Sequence, residues 1–250
     1  MRFDLITLFP ELFAPFLTSG VTRRAFESGQ VAVKLWNPRD YADGNYRRVD
    51  DRPFGGGPGM VMLAEPLAAC LQAIRVDRAD VPDAAAPVAL FSPTGSTLDH
   101  AAVSQWSVSQ GAVLVCGRYE GIDQRFIDAH VDLQISLGDF VLSGGEVAAM
   151  ALLDAVARLQ PGVLGDEGSH AQDSFNPALD GLLDCPHYTR PEVWQGVSVP
   201  APLLSGHHAQ IERWRRDQRL TLTARLRPDL IAAARSAGAL SPADEVVLAQ

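Results

Sequence analysis

Three short stretches carry residues whose types and spacing could do chemistry: SPTG at 92–95, GRYEG at 117–121 and SLGDFVLSGGE at 136–146. Each follows an apolar run, at 88–91, 112–116 and 131–135, and so reads as the loop after a strand. Glycine in such a loop brings main-chain N–H and C=O groups to a ligand at distances that a β-carbon forbids. Open α/β sheets bind ligands at that end of their strands. One loop of this kind is an ordinary turn; three together predict a small-molecule site. No GxGxxG follows a strand and no Gly-Lys-Ser/Thr is present, so neither the dinucleotide fingerprint nor the P-loop applies. A fourth stretch, GGGPG at 55–59, has Arg47, Arg48 and Arg52 just upstream. It is either a flexible turn or a wall of backbone amides open to a nucleotide, and the arginines favour the second.

These loops need strands and helices to hold them. Apolar runs at 3–8 and 31–35 add two strands, and helical spacing is seen at 12–17, 60–74, 98–109, 122–129 and 147–159. Strand and helix alternate, which predicts an α/β domain with a mostly parallel sheet covered on both faces. The polar stretch 37–59 lacks periodicity and is long enough to predict a functional or mobile loop. A connector is expected at 75–87 and an interdomain linker at 163–172, between an α/β domain at 1–162 and a small all-helical domain at 173–250. Within 205–227, Arg213, Arg215, Arg216, Arg219, Arg225 and Arg227 face only Glu212 and Asp217, a local reversal of sign in a protein of net charge −9. A charged helix face is usually just solvated; against an acidic background the reversal favours phosphate contacts.

Composition limits the alternatives. The 250 residues are 47% hydrophobic and 20% charged, as in a globular protein with a full core. The first ten residues have no basic start followed by an apolar core, which predicts no signal peptide. No apolar run reaches the ~20 residues that span a bilayer. Cys70, Cys116 and Cys185 are odd in number and far apart, so they are expected as reduced core thiols in a cytoplasmic protein.

Seven blocks now carry a resemblance: GGGPGM, LFSPTG, GRYEGIDQRF, ISLGDFVLSGGE, RLQPGVLG, QDSF and GLLDCPHYTRP, in that order across nearly the whole chain. Together they resemble the bacterial tRNA (guanine-N1)-methyltransferase family, TrmD, of the SPOUT class. The resemblance implies an α/β domain whose C-terminal half forms a deep trefoil knot, a feature no periodicity could predict. It also implies S-adenosylmethionine bound in the knot by Ser92, Pro93 and Gly95, by Gly117, Tyr119 and Gly121, and by Leu137, Gly138, Asp139, Phe140, Val141, Leu142, Gly144 and Gly145.

By the same resemblance Asp173 is the general base toward guanine N1, Arg158 faces guanine O6, and Glu120 binds the guanine edge or helps bring in Mg²⁺. From the residues alone, Asp173 would be a helix N-cap and Arg158 a complement to a helix dipole. RNA contacts are implied for Gly57, Gly59, His187, Arg190, Arg215, Arg216 and Arg219; His187 is equally a structural histidine. The implied substrate is the guanosine at position 37 of tRNA, and the implied assembly is a homodimer sharing its active sites. Ala148 stands where the family carries proline, and 176–179 resembles a short insertion. The rivals are a SPOUT enzyme for ribosomal RNA or ribose 2′-OH, a non-catalytic RNA-binding protein, and a Rossmann-type enzyme, which the missing glycine fingerprint disfavours.

Overall fold

The computed structural model describes residues 1–79, 86–165, 168 and 170–249. Parts of the expected connector (80–85) and linker (166, 167 and 169) lie outside the described residues. The chain divides into two compact units, Met1–Leu164 and Gly165–Gln250.

In the first unit, β1 (Arg2–Ile6) is followed by α1 (Phe13–Thr18), α2 (Arg23–Glu27), β2 (Ala32–Trp36), β3 (Asp50–Asp51), β4 (Val61–Met62) and α3 (Ala64–Asp77). Then come β5 (Val88–Thr97), α4 (His100–Ser107), β6 (Gly111–Val115), α5 (Gln124–His130), β7 (Leu133–Ser136) and α6 (Glu146–Ala157). The main sheet has the order β2-β1-β6-β5-β7, and every pairing in it is parallel. Side chains alternate across it, as the strand period of two requires. Phe3, Leu5, Ala112, Leu114 and Cys116 pack with α6 on one face. Ile6, Val113 and Val115 pack with Leu67, Leu71 and Ile74 of α3 on the other. With both faces covered, the strands read as near-continuous apolar runs.

Two expected elements take a different form. The helix expected from residue 60 begins at Ala64 instead, because Met60–Met62 are used as extended chain. Met62 pairs with Asp50, its N–H donates to Gly121 O at 2.9 Å, and its C=O accepts from Asp123 N at 3.0 Å. Pro66 then sits in the first helical turn, where its missing N–H has no partner to lose. The loop expected at 92–95 is an excursion within β5. Phe91 and Ser96 both stand opposite Ile135 of β7, so 92–95 bulge out and return to the same partner.

The second unit holds β8 (Val193–Trp194), β9 (Val197–Ser198), α7 (Ala201–Leu204), α8 (His208–Leu226), α9 (Pro228–Ser236) and α10 (Pro242–Leu248). It is therefore not all-helical: β8 and β9 form an antiparallel hairpin, closed by Gln195 and Gly196 at φ 51° and 81°. This is the double positive φ that a two-residue hairpin turn demands. Leu182, Leu220, Ile231 and Ala234 form its core.

Candidate active site

The carboxyl ends of β5, β6 and β7 converge on a cavity of about 190 Å³. The three glycine loops line it, together with Phe91, Ile135, Ser136 and Ala148. The second and third loops are joined through their main chains. Gly145 N–H donates to Gly117 O at 3.0 Å, and Arg118 pairs with Gly144 in an antiparallel bridge. The close approach explains Gly145: a β-carbon there would lie 2.8 Å from the Cys116 Cα. Tyr119 holds φ 60°, and burial, then Asp50 beside its hydroxyl, keeps the phenol above its ordinary pKa. Phe140, Val141 and Leu142 stand exposed at the rim, a run of apolar side chains open to a ligand.

The expected ligand residues are brought together with three exceptions. Gly95, Gly138 and Asp139 do not line the cavity. Gly95 instead lies against the main chain of Gln134 and Ile135, where any β-carbon would collide. Thr94 ties the excursion down, its hydroxyl donating to Gln134 Oε1 at 2.8 Å. Gly138 turns at φ 144° and accepts from Phe140 N–H at 2.9 Å, shaping the loop rather than facing the cavity.

Glu120 lines the cavity and packs on Gly59 of the GGGPG loop, and its N–H donates to Met60 O at 3.0 Å. The GGGPG loop and the GRYEG loop are thus one structure, a link not visible in the sequence. Ala148 is buried in the first turn of α6, where alanine fits without strain. Arg158 does not reach this cavity. It is the C-cap of α6, whose 12 residues, at ~1.5 Å each, carry it ~18 Å from the Gly145 end. Asp173 belongs to the second unit, directly after a short 3-10 helix at His170–Gln172, so it does not begin a helix as an N-cap. Asn176 does cap one: its side chain accepts from Ala178 N–H, and 177–179 form a 3-10 turn.

In the second unit the arginines divide by their partners. Arg219 is buried and pairs with Asp184 at 3.3 Å; Arg216 pairs with Asp180 at 2.6 Å and Asp244 at 3.2 Å. The local excess of positive charge is therefore largely neutralised by acids from outside 205–227. The guanidinium groups of Arg216 and Arg219 are thus paired inside the unit. Arg215 pairs with the exposed Glu212 at 2.8 Å, and Arg190 and Arg225 are exposed. His187 is exposed and shares a 2.9 Å hydrogen bond with Asp184 Oδ2. Burial raises the Asp184 pKa, but the Cys185 N–H, Arg219 and His187 outweigh it, so the carboxyl titrates below its usual range.

All three cysteines are buried and unpaired, and burial pushes the Cys70 thiol up to about 12, which leaves it inert as a nucleophile. Among the described residues no three His, Cys, Asp or Glu side chains come together as a metal cluster, and no helix is long and apolar enough to cross a membrane.

A parallel α/β sheet with a ligand cavity walled by glycine loops at its carboxyl edge defines the class of protein. The model of the family described as "tRNA (Guanine-1)-methyltransferase TrmD" matches residues 1–233, and the chain belongs to that family. A tRNA (guanine-N(1)-)-methyltransferase of Paracidovorax citrulli is 75% identical over 250 residues, covering 100% of this chain and 98% of its own length. One from Polaromonas sp. is 73% identical, with coverages of 100% and 96%. One from Bordetella parapertussis is 59% identical, with coverages of 100% and 97%.

Proposed function

We propose that this protein methylates N1 of the guanosine at position 37 of tRNA, using S-adenosylmethionine as methyl donor. The observation that carries the reading is the single cavity into which three separate loops, all matching family blocks, converge. Its lining fits an adenosine-type ligand: Leu142, Phe140 and Ile135 offer apolar contact, while glycine-bearing main chain offers donors and acceptors. When bound there, S-adenosylmethionine supplies an electrophilic methyl group.

The protein's own residues do the rest. Guanine N1 carries a proton and is a poor nucleophile until that proton leaves; the Asp173 carboxylate accepts it. Arg158 balances the negative charge that then develops on O6. Glu120, at the cavity mouth, binds the Watson–Crick edge. The remaining catalysis is positioning. The assembly that goes with this reading is a homodimer whose active site combines the cavity of one chain with the C-terminal domain of the other, so that Asp173 serves its partner's cofactor. Knotted threading of the C-terminal half of the α/β domain is part of the same reading, supported by family membership and compatible with the main-chain bond between Gly117 and Gly145. Mg²⁺ has no cage of protein ligands among the described residues; Glu120 with substrate oxygens and water would hold it, as Mg²⁺ sites commonly do. A cytoplasmic setting follows from the tRNA substrate and the buried free thiols.

The test is methyl transfer from labelled S-adenosylmethionine to two tRNA transcripts, with guanosine or adenosine at position 37, and identification of the product nucleoside by mass. N1-methylguanosine from the first transcript alone is expected. Methylation of both transcripts would refute the assignment, and no methylation despite bound cofactor would favour a binding module. Asp173→Asn is expected to bind cofactor normally and to lose nearly all turnover; near-normal single-turnover methylation would remove Asp173 as the base.

A further inference from the structure

A polar network runs from the cavity wall, where Arg118 and Ser143 lie, into the core below it, and none of its side chains belongs to the reaction as derived above. Its centre is Glu146, 1% exposed, at the first position of α6. The Thr7 hydroxyl, itself fully buried, donates to Glu146 Oε1 at 2.9 Å. Arg118 Nε lies 2.9 Å from Glu146 Oε2. The same guanidinium donates to Ser143 O at 3.2 Å and covers the Phe9 ring at 4.4 Å. The ring closes because Phe9 N–H donates to Thr7 Oγ1 at 3.0 Å. One arginine thus holds together the end of β1, the loop after β6, the loop after β7 and the start of α6.

We infer that Arg118, through Glu146, is a positioning residue that presets the two main cofactor loops for binding. This rests on the proposed cofactor reading of the cavity. A buried ion pair adds little net stability, because desolvation offsets most of its attraction. Its effect here lies in geometry. The side chain of Arg118 lies across Gly144, so closely that a β-carbon there would strike its Nε. Its main chain is bridged to the same residue, and Gly145 is bonded to Gly117 beside it. One guanidinium nitrogen lies against Glu146 and another donates to the Ser143 carbonyl, while its flat face rests on Phe9; a lysine ammonium, a single nitrogen on a flexible stem, cannot span all three positions. Without the fork, the two loops must be ordered by the ligand itself, and affinity falls by that ordering cost.

The experiment uses the full-length protein and two variants. Arg118→Lys keeps the charge opposite Glu146, and Arg118→Met combined with Glu146→Gln removes both charges, so that neither is left buried alone. Affinity for S-adenosylmethionine is measured by calorimetry without tRNA, and kcat is measured at saturating concentrations of both substrates. Ligand-free thermal melting is followed in parallel. The expected result is a roughly tenfold weaker Kd for Arg118→Lys and a larger loss for the double variant. Saturated kcat stays within about threefold, and ligand-free melting of the lysine variant shifts by only a few degrees. A Kd within twofold of the parent in both variants overturns the inference. So does a fall in kcat that exceeds the rise in Kd, which would place Arg118 at the reacting atoms. If the unaltered protein fails to bind S-adenosylmethionine, the cofactor reading falls instead, and the two failures are distinguishable.

Discussion

Gly56 and Gly59 provide a matched pair for testing the place of Glu120. They have nearly the same backbone, φ 76° and 77°, so alanine at either is strained alike. That strain is about 1–2 kcal/mol per residue in the left-handed region, and for a protein of this size each kcal/mol lowers Tm by roughly 2–4 °C. The surroundings differ. A β-carbon on Gly56 meets nothing within 4 Å, whereas one on Gly59 falls 2.5 Å from Glu120 Cγ and 2.8 Å from Cδ, and closer still to Oε1. The Glu120 side chain can swing away, so the collision changes position more than stability. Charge-assisted hydrogen bonds contribute about 1.5–3 kcal/mol each, so losing one to the guanine edge lowers kcat/KM about ten- to hundredfold. The prediction is that Gly56→Ala and Gly59→Ala melt at similar temperatures and bind S-adenosylmethionine equally, while only Gly59→Ala loses that factor in tRNA methylation. Equal turnover of the two variants would refute the placement of Glu120 at the guanine.

Two further predictions concern the second unit. Arg215→Ala with Arg225→Ala is expected to reduce the slope of log K against log salt for tRNA binding by about two, at ~0.9 per phosphate contact; an unchanged slope in filter binding would place those contacts elsewhere. Asp244 titrates at about 2, because Arg216 and the Ser241 capping bonds outweigh the opposing effect of its burial. A lowered carboxyl pKa means that its stabilisation is complete above the ordinary carboxylate range and is lost as pH falls from about 4 toward 2. Acid unfolding followed by tryptophan fluorescence should therefore be shallower in Asp244→Asn over that window, and identical profiles would count against the assignment.

Much of the α/β unit was legible because its strands are buried on both faces. Residues 112–115 form one apolar run, as do their partners at 88–91, and 3–6 is interrupted only by the buried Asp4, so the runs located these strands to within a residue or two. The three loops were legible for the same reason, since each breaks such a run with glycine. What could not be read were pairings between distant segments. Nothing local in 60–62 shows that these residues pair with 50–51 and with the loop at 121–123, and a helix seemed natural before Pro66. Arg118 carries no local signal, because Glu146 and Phe9, which it contacts, are far away in sequence and are ordinary residue types where they stand. The same limit applies to the charge of 205–227: the acids that pair with Arg216 and Arg219 lie at 180, 184 and 244. Local sign reversal describes a window, while electrostatics is settled among neighbours in space.

The glycines under the cavity bear on how easily this protein could evolve resistance to a competitive inhibitor. Escape substitutions usually add bulk or remove a side-chain contact, yet part of this wall is the glycine backbone of Gly117, Gly121, Gly144 and Gly145. At Gly145 the smallest addition meets the Cys116 main chain, and at Gly144 it displaces Arg118. A compound that lies against these two residues therefore confronts its target with substitutions that damage the target first.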